Sequence, residues 1–252
     1  MPAQEKKIKG FNLLELIVVV VIIGIISAAA YPNFSSWSKE RKTRLAAVKI
    51  IDLITGINLQ VKRGLYAYVQ VHFEDNGEEL IVTSKGMNID NLSSRINDSG
   101  SKWNTAPSDR CLMEDTDSSG EVYWNDVAPS EKSEVRQIIL DDVATTFSDP
   151  EEAERVGVVC FSKSGNYFNA TFPGGEPDDE IFICTRTTSS SNCTIDSDRE
   201  PNEEDVYAKK KKFLFSIGWT RFGEVSLEKW SQKMGEGADG VSVALEGKWT
   251  PL

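Results

Sequence analysis

Between Phe11 and Tyr31 the chain carries 21 residues with one charge among them, Glu15. As a helix rising about 1.5 Å per residue this run reaches ~31 Å, the thickness of a bilayer's hydrocarbon core. The sequence therefore predicts a membrane-spanning helix over 11–31. An ionised carboxylate inside such a run costs about 2.5–3.5 kcal/mol on insertion scales. Glu15 needs a partner.

Residues 1–10 form a short basic leader with Lys6, Lys7 and Lys9, ending in Gly10 immediately before Phe11. A secretory signal is cut beyond its apolar block and loses it. A cut at Gly10 leaves the block on the mature chain. Gly10 before an aromatic Phe11, Glu15 at the fifth position after the cut, and Pro32 at the usual place of a bend together resemble the type IV prepilin family, including the pseudopilins of type II secretion. The resemblance implies cleavage after Gly10 and N-methylation of Phe11 by a prepilin peptidase/methyltransferase. It implies other pilin or pseudopilin subunits as partners, with Glu15 neutralising the ammonium of a neighbour's Phe11. It also implies a single-pass protein of the bacterial inner membrane whose carboxyl-terminal domain is periplasmic, taken up into a pilus or pseudopilus.

Beyond the leader and the long helix, the remaining chain is long enough for one domain with a real core. Removing a leader of three lysines and one glutamate from the formal charge of −11 leaves −13. Such a surface repels nucleic acid, which is not an expected partner. The four cysteines, Cys111, Cys160, Cys184 and Cys193, all follow the membrane segment, and four allow three disulfide connectivities. The small polar spacer between Cys184 and Cys193 favours that pair, and by subtraction Cys111–Cys160. Metal binding by thiols is not expected without a Cys-x-x-Cys pair or clustered histidines. Charge leaves orientation open, because Lys39, Arg41, Lys42 and Arg44 answer the leader's lysines across the apolar run.

After Pro32 the pattern becomes amphipathic. Ala47, Ile50, Ile51, Ile54, Ile57 and Val61 recur at helical spacing, and Lys62, Arg63 and Gly64 supply cations and a left-handed cap at the helix end. The organisation expected is a leader at 1–10, a transmembrane helix at 11–31, its amphipathic continuation at 32–64, bent near Pro32, and a β-rich periplasmic domain at 65–252. Leu65 to Phe73 alternates as a half-buried strand whose polar face holds Tyr66, Tyr68, Gln70 and His72. Asp75-Asn76-Gly77 turns it into Leu80-Ile81-Val82. Residues 84–110 read as a surface loop. Apolar runs at Val135–Leu140, Arg155–Phe161, Tyr167–Phe172, Glu180–Thr185 and Phe213–Trp219 read as further strands, with Gly223–Leu227 returning beside the last. The fold class expected is α+β, a long amino-terminal helix packed on an antiparallel sheet or sandwich.

Asp115, Asp117, Ser119, Gly120, Glu121 and Asp126 follow the order of an EF-hand calcium loop, but Pro107 and Pro129 flank it and Asp126 is shorter than the usual bidentate Glu. A calcium-binding turn and an Asx-rich turn that satisfies its own backbone both remain open. The order of elements after the helix is similar to that of the GspH/FimT group of minor pilins and pseudopilins. Some of that group bind DNA through an arginine-bearing turn in the last hairpin, a place that reads Gly223-Glu224-Val225-Ser226 here. No phosphate-binding glycine loop or nucleophile elbow occurs, and His72 is the single histidine. The reading is a structural filament subunit rather than an enzyme, with a tip-located binding pilin for adhesion, DNA uptake or cargo contact as the alternative.

Overall fold

The computed structural model describes residues 13–100, 103–104, 111, 125–126, 137–145, 155–163, 169–171, 180–186, 193, 213–236 and 242–252, some as backbone alone. The chain divides into two compact units, Met1–Lys39 and Glu40–Leu252. A single helix, α1 (Leu13–Lys62), begins in the first and ends in the second. It does not stop at Pro32, as the expected continuation at 32–64 requires. Its end is a Schellman closure: Leu65 N–H donates to the Gln60 carbonyl at 3.0 Å and Gly64 N–H to the Val61 carbonyl at 2.9 Å. Gly64 takes φ 79°, where a Cβ would be strained, and this is why glycine stands after Lys62 and Arg63.

The second unit holds two antiparallel sheets. In the first, β1 (Tyr68–Asp75) pairs with β2 (Glu79–Met87) and with β6 (Arg155–Ser162). β3 (Asn125–Asp126) and β4 (Gln137–Asp141) share the far side of β2, and β7 (Asn169–Thr171) pairs with β6. In the second the order is β11 (Ser242–Pro251), β10 (Val225–Glu236), β9 (Leu214–Trp219), β8 (Glu180–Thr185) and β5 (Val143–Thr145). The chain passes from the first sheet to the second between β4 and β5, through Asp142 alone, which adopts φ 64°. Aspartate tolerates this left-handed conformation better than most residues.

One core takes side chains from α1 and from both sheets. Ala47, Ile50, Ile54, Ile57 and Val61 are fully buried on α1, against Val69, Val71 and Phe73 of β1, Val159 and Phe161 of β6, and Ile181, Ile183, Phe215 and Ile217 of the second sheet. Each such Ile or Val side chain is worth about 1.5–3 kcal/mol relative to exposure. The expected stripe, the Asp75-Asn76-Gly77 hairpin with Gly77 at φ 86°, and the strands at 155–161 and 180–185 are all present. Both favoured disulfides are present too, Cys111–Cys160 and Cys184–Cys193, each with a Cα separation of 5.8 Å.

Four expectations need correction. The first strand starts at Tyr68 rather than Leu65, because Gly64 and Leu65 are still closing the helix and Leu65 is exposed. Its polar face is not solvated at that end. Tyr68 and Gln70 are buried in a second cluster with Met87, Leu92, Trp103, Cys111, Val158 and Cys160. The segment covering them includes α2 (Ile89–Asn97), so 84–110 is not a plain loop: β2 runs on to Met87 and a helix follows. Finally, β9 and β10 are not the last hairpin, since β10 continues to Glu236 and pairs with β11.

Candidate assembly helix

From Leu13 to Ile26 α1 is apolar on every side except at Glu15, and its large side chains are all exposed, from Leu13 at 75% to Val18 at 46%. A helix apolar all round requires a nonaqueous surrounding, because no single face can be turned to water. Glu15 is the one charge between Leu13 and Ser38. Among the described residues no helix is long and apolar enough to cross a membrane. The side chains described there stop short of Tyr31, and Phe11 lies before them. Gly10 and Phe11, the expected cleavage and methylation positions, lie outside the described residues, and so does the side chain of Pro32.

The second half of α1 is fastened by polar contacts as well as by its apolar stripe. Glu40 is ion-paired with Lys229 of β10. Thr43 and Thr185 share a buried hydroxyl hydrogen bond of 2.9 Å. Lys42 Nζ lies 2.7 Å from Asp142 Oδ2 at the corner between the sheets. That hydrogen bond, with the carboxylate's charge, raises the Lys42 pKa above its ordinary 10.5. Near the helix end Asn58 Nδ2 donates to the carbonyls of Phe222 and Gly223, at 3.0 and 2.9 Å. Gly223 has φ 71°, and a Cβ there would meet the Asn58 amide at 2.5 Å. Glycine at 223 is thus required by the helix seated against it. The turn also carries Arg221, whose guanidinium lies 6.0 Å from the centroid of the exposed Phe222 ring.

A residue that the sequence does not single out joins the two sheets. Arg186, just after β8, donates from Nη2 to both carboxylate oxygens of Asp75 at 2.9 Å. Its Nη1 reaches the Gly77 carbonyl at 2.6 Å and its Nε the Val143 carbonyl at 2.9 Å. Asp75 is 1% exposed at its side chain and Arg186 12%. The hairpin of the first sheet and the inner edge of the second are therefore held by one guanidinium. Three nitrogens of one rigid plane serving three separate acceptors is a geometry that arginine fits and the single ammonium of lysine does not.

Asp115, Asp117, Ser119, Gly120 and Glu121 lie outside the described residues. Asp126, the last position of that loop, falls in β3 with Lys85 opposite it. Among the described residues no cluster of His, Cys, Asp and Glu could hold a metal ion. The lysines at 209–212 and the acidic segment at 196–205 also lie outside them.

Residues 6–31 match the family described as the prokaryotic N-terminal methylation motif. No match was found among curated proteins or among solved structures. The matched residues include Gly10, Phe11 and Glu15 and run to the end of the apolar stretch, and they make this amino terminus that of a type IV prepilin-like protein.

Proposed function

We propose that this prepilin-like chain is a minor pilin or pseudopilin of the GspH/FimT-like kind, a structural subunit of a type IV pilus or a type II secretion pseudopilus. On this reading it is made as a single-pass inner-membrane precursor with its β-rich unit in the periplasm. A prepilin peptidase cuts after Gly10 and methylates Phe11. The carrying observation is the division of labour along α1: its first part exposes apolar side chains on all faces, and its second part is built into the core of a disulfide-bonded domain. The exposed part is free to exchange lipid for the helices of neighbouring subunits. Glu15, expensive in lipid, then meets the ammonium of a neighbour's Phe11, so its desolvation cost favours leaving the membrane. Chemistry of this kind needs binding and registration, with no catalytic group.

Intact-mass and amino-terminal analysis of membrane-extracted protein tests the proposal. The mature chain should begin at methylated Phe11. A terminus at Met1, or beyond Ala30, would sink it.

A further inference from the structure

Past the apolar run, and still within the first unit, α1 carries Phe34 and Trp37. Their ring centroids are 5.8 Å apart and their planes are tilted by 43°. The two residues are 64% and 53% exposed. A three-residue spacing puts them on one face, a turn apart. The first charge after Glu15 is Lys39, two positions beyond Trp37.

Their level along the helix follows from its rise. With Phe11 at one boundary of a hydrocarbon core ~30 Å thick, the opposite boundary falls about 20 residues on, at Tyr31. The Cα atoms of Phe34 and Trp37 then lie about 4.5 and 9 Å further, and helical side chains lean back toward the amino terminus, bringing the rings nearer the core. The headgroup layer is roughly 5–7 Å deep on each side. An aromatic ring suits that layer because its body is apolar, and the indole N–H of tryptophan can reach a carbonyl or phosphate oxygen.

We propose that Phe34 and Trp37 are an interfacial anchor, seated among the glycerol esters and headgroups of phospholipid on the domain side of the bilayer, which sets the depth of α1 before assembly. This rests on the membrane-anchored reading above. In the full-length chain in phosphatidylethanolamine–phosphatidylglycerol vesicles, the emission lost on Trp37→Phe isolates Trp37 from the other five tryptophans. A spin-label quencher near the top of the acyl chain should reduce that share about twofold or more relative to a quencher near the chain's end. Equal quenching, deeper quenching or none, in a chain that resists alkaline carbonate extraction, would overturn the anchor and leave the membrane reading standing. Release of the chain by carbonate would overturn both.

Discussion

Replacing Arg186 by methionine removes the guanidinium and keeps most of the apolar stem. It takes the guanidinium away from the Asp75 carboxylate, 1% exposed, to which the Gly77 N–H still donates at 2.9 Å, and it leaves the Val143 and Gly77 carbonyls without their arginine bonds. Removing one member of a buried pair costs about 3–5 kcal/mol, most of it the stranded charge. At about 2–4 °C per kcal/mol for a domain of this size, the melting temperature should fall by about 6–20 °C. Calorimetry of the full chain in detergent, with the disulfides intact, measures this. Adding Asp75→Asn should recover more than half of the loss, since a neutral amide is far cheaper to bury than an unpaired carboxylate. Arg186→Lys should fall between, keeping the charge and losing the fork. A loss for Arg186→Met below about 1 kcal/mol, the range of exposed pairs, would refute the claim that this residue ties the sheets together.

In the chain-entropy account the Cys111–Cys160 link, spanning 49 residues, is worth about 4 kcal/mol and the Cys184–Cys193 link, spanning 9, about 2.5. Melting of the two paired Cys→Ala variants should rank in that order, and the reverse would contradict the account. Gly223→Ala should destabilise by more than about 1 kcal/mol, since it adds a left-handed Ala and a clash with Asn58; adding Asn58→Ala should recover the clash and not the backbone strain. Glu15→Ala should give normally cleaved and folded protein that accumulates in the inner membrane and is missing from sheared filaments, and normal incorporation would show that the carboxylate does not register subunits. The raised Lys42 pKa means its pairing with Asp142 contributes at pH values below 10.5 and is lost as pH climbs through the higher folded-state value. The melting difference between the native chain and Asp142→Asn should close over that alkaline interval, and a difference constant with pH would exclude the pair as its source.

What could be read from the sequence is what periodicity and local turn chemistry encode. The stripe from Ala47 to Val61, the Asn76-Gly77 turn and the unbroken apolar runs at 155–161 and 180–185 each state their own environment. The short polar spacer between Cys184 and Cys193 did so for one disulfide, and the other followed. α2 hid because Ser and Asn dominate Ile89–Asn97, and Leu92 alone of its residues is buried among the described side chains. The burial of Tyr68 and Gln70 depends on that distant cover, which no alternation within β1 can report. β10 and β11 mix Trp, Lys, Gly and Glu with no apolar run longer than Val243-Ala244-Leu245, and they are joined across the ladder by the pair Trp230–Trp249, with ring centroids 5.4 Å apart. Arg186 and Asp142 are single polar residues whose importance lies wholly in what two sheets bring to them. The likeness of residues 6–31 to the N-terminal methylation motif was legible because that pattern lies in contiguous sequence. The fastening of α1 at Thr43, Asn58 and Gly223 was not, because each contact joins residues more than a hundred positions apart.

The fastening has a mechanical consequence. From Glu40 to Val61 the contacts of α1 run in a line along its axis for about 32 Å. A pull on the helix along that axis loads them in parallel, as shear, whereas a sideways pull would peel them one after another. Withdrawal by a single turn, ~5.4 Å, displaces every one of these side chains from its seat at once, Ile50, Ile54 and Ile57 from the core together with Asn58 from the backbone of Gly223. Resistance to such a pull is set by the barrier to unfolding rather than by the equilibrium stability. A domain attached this way resists a pull along its helix better than one across it.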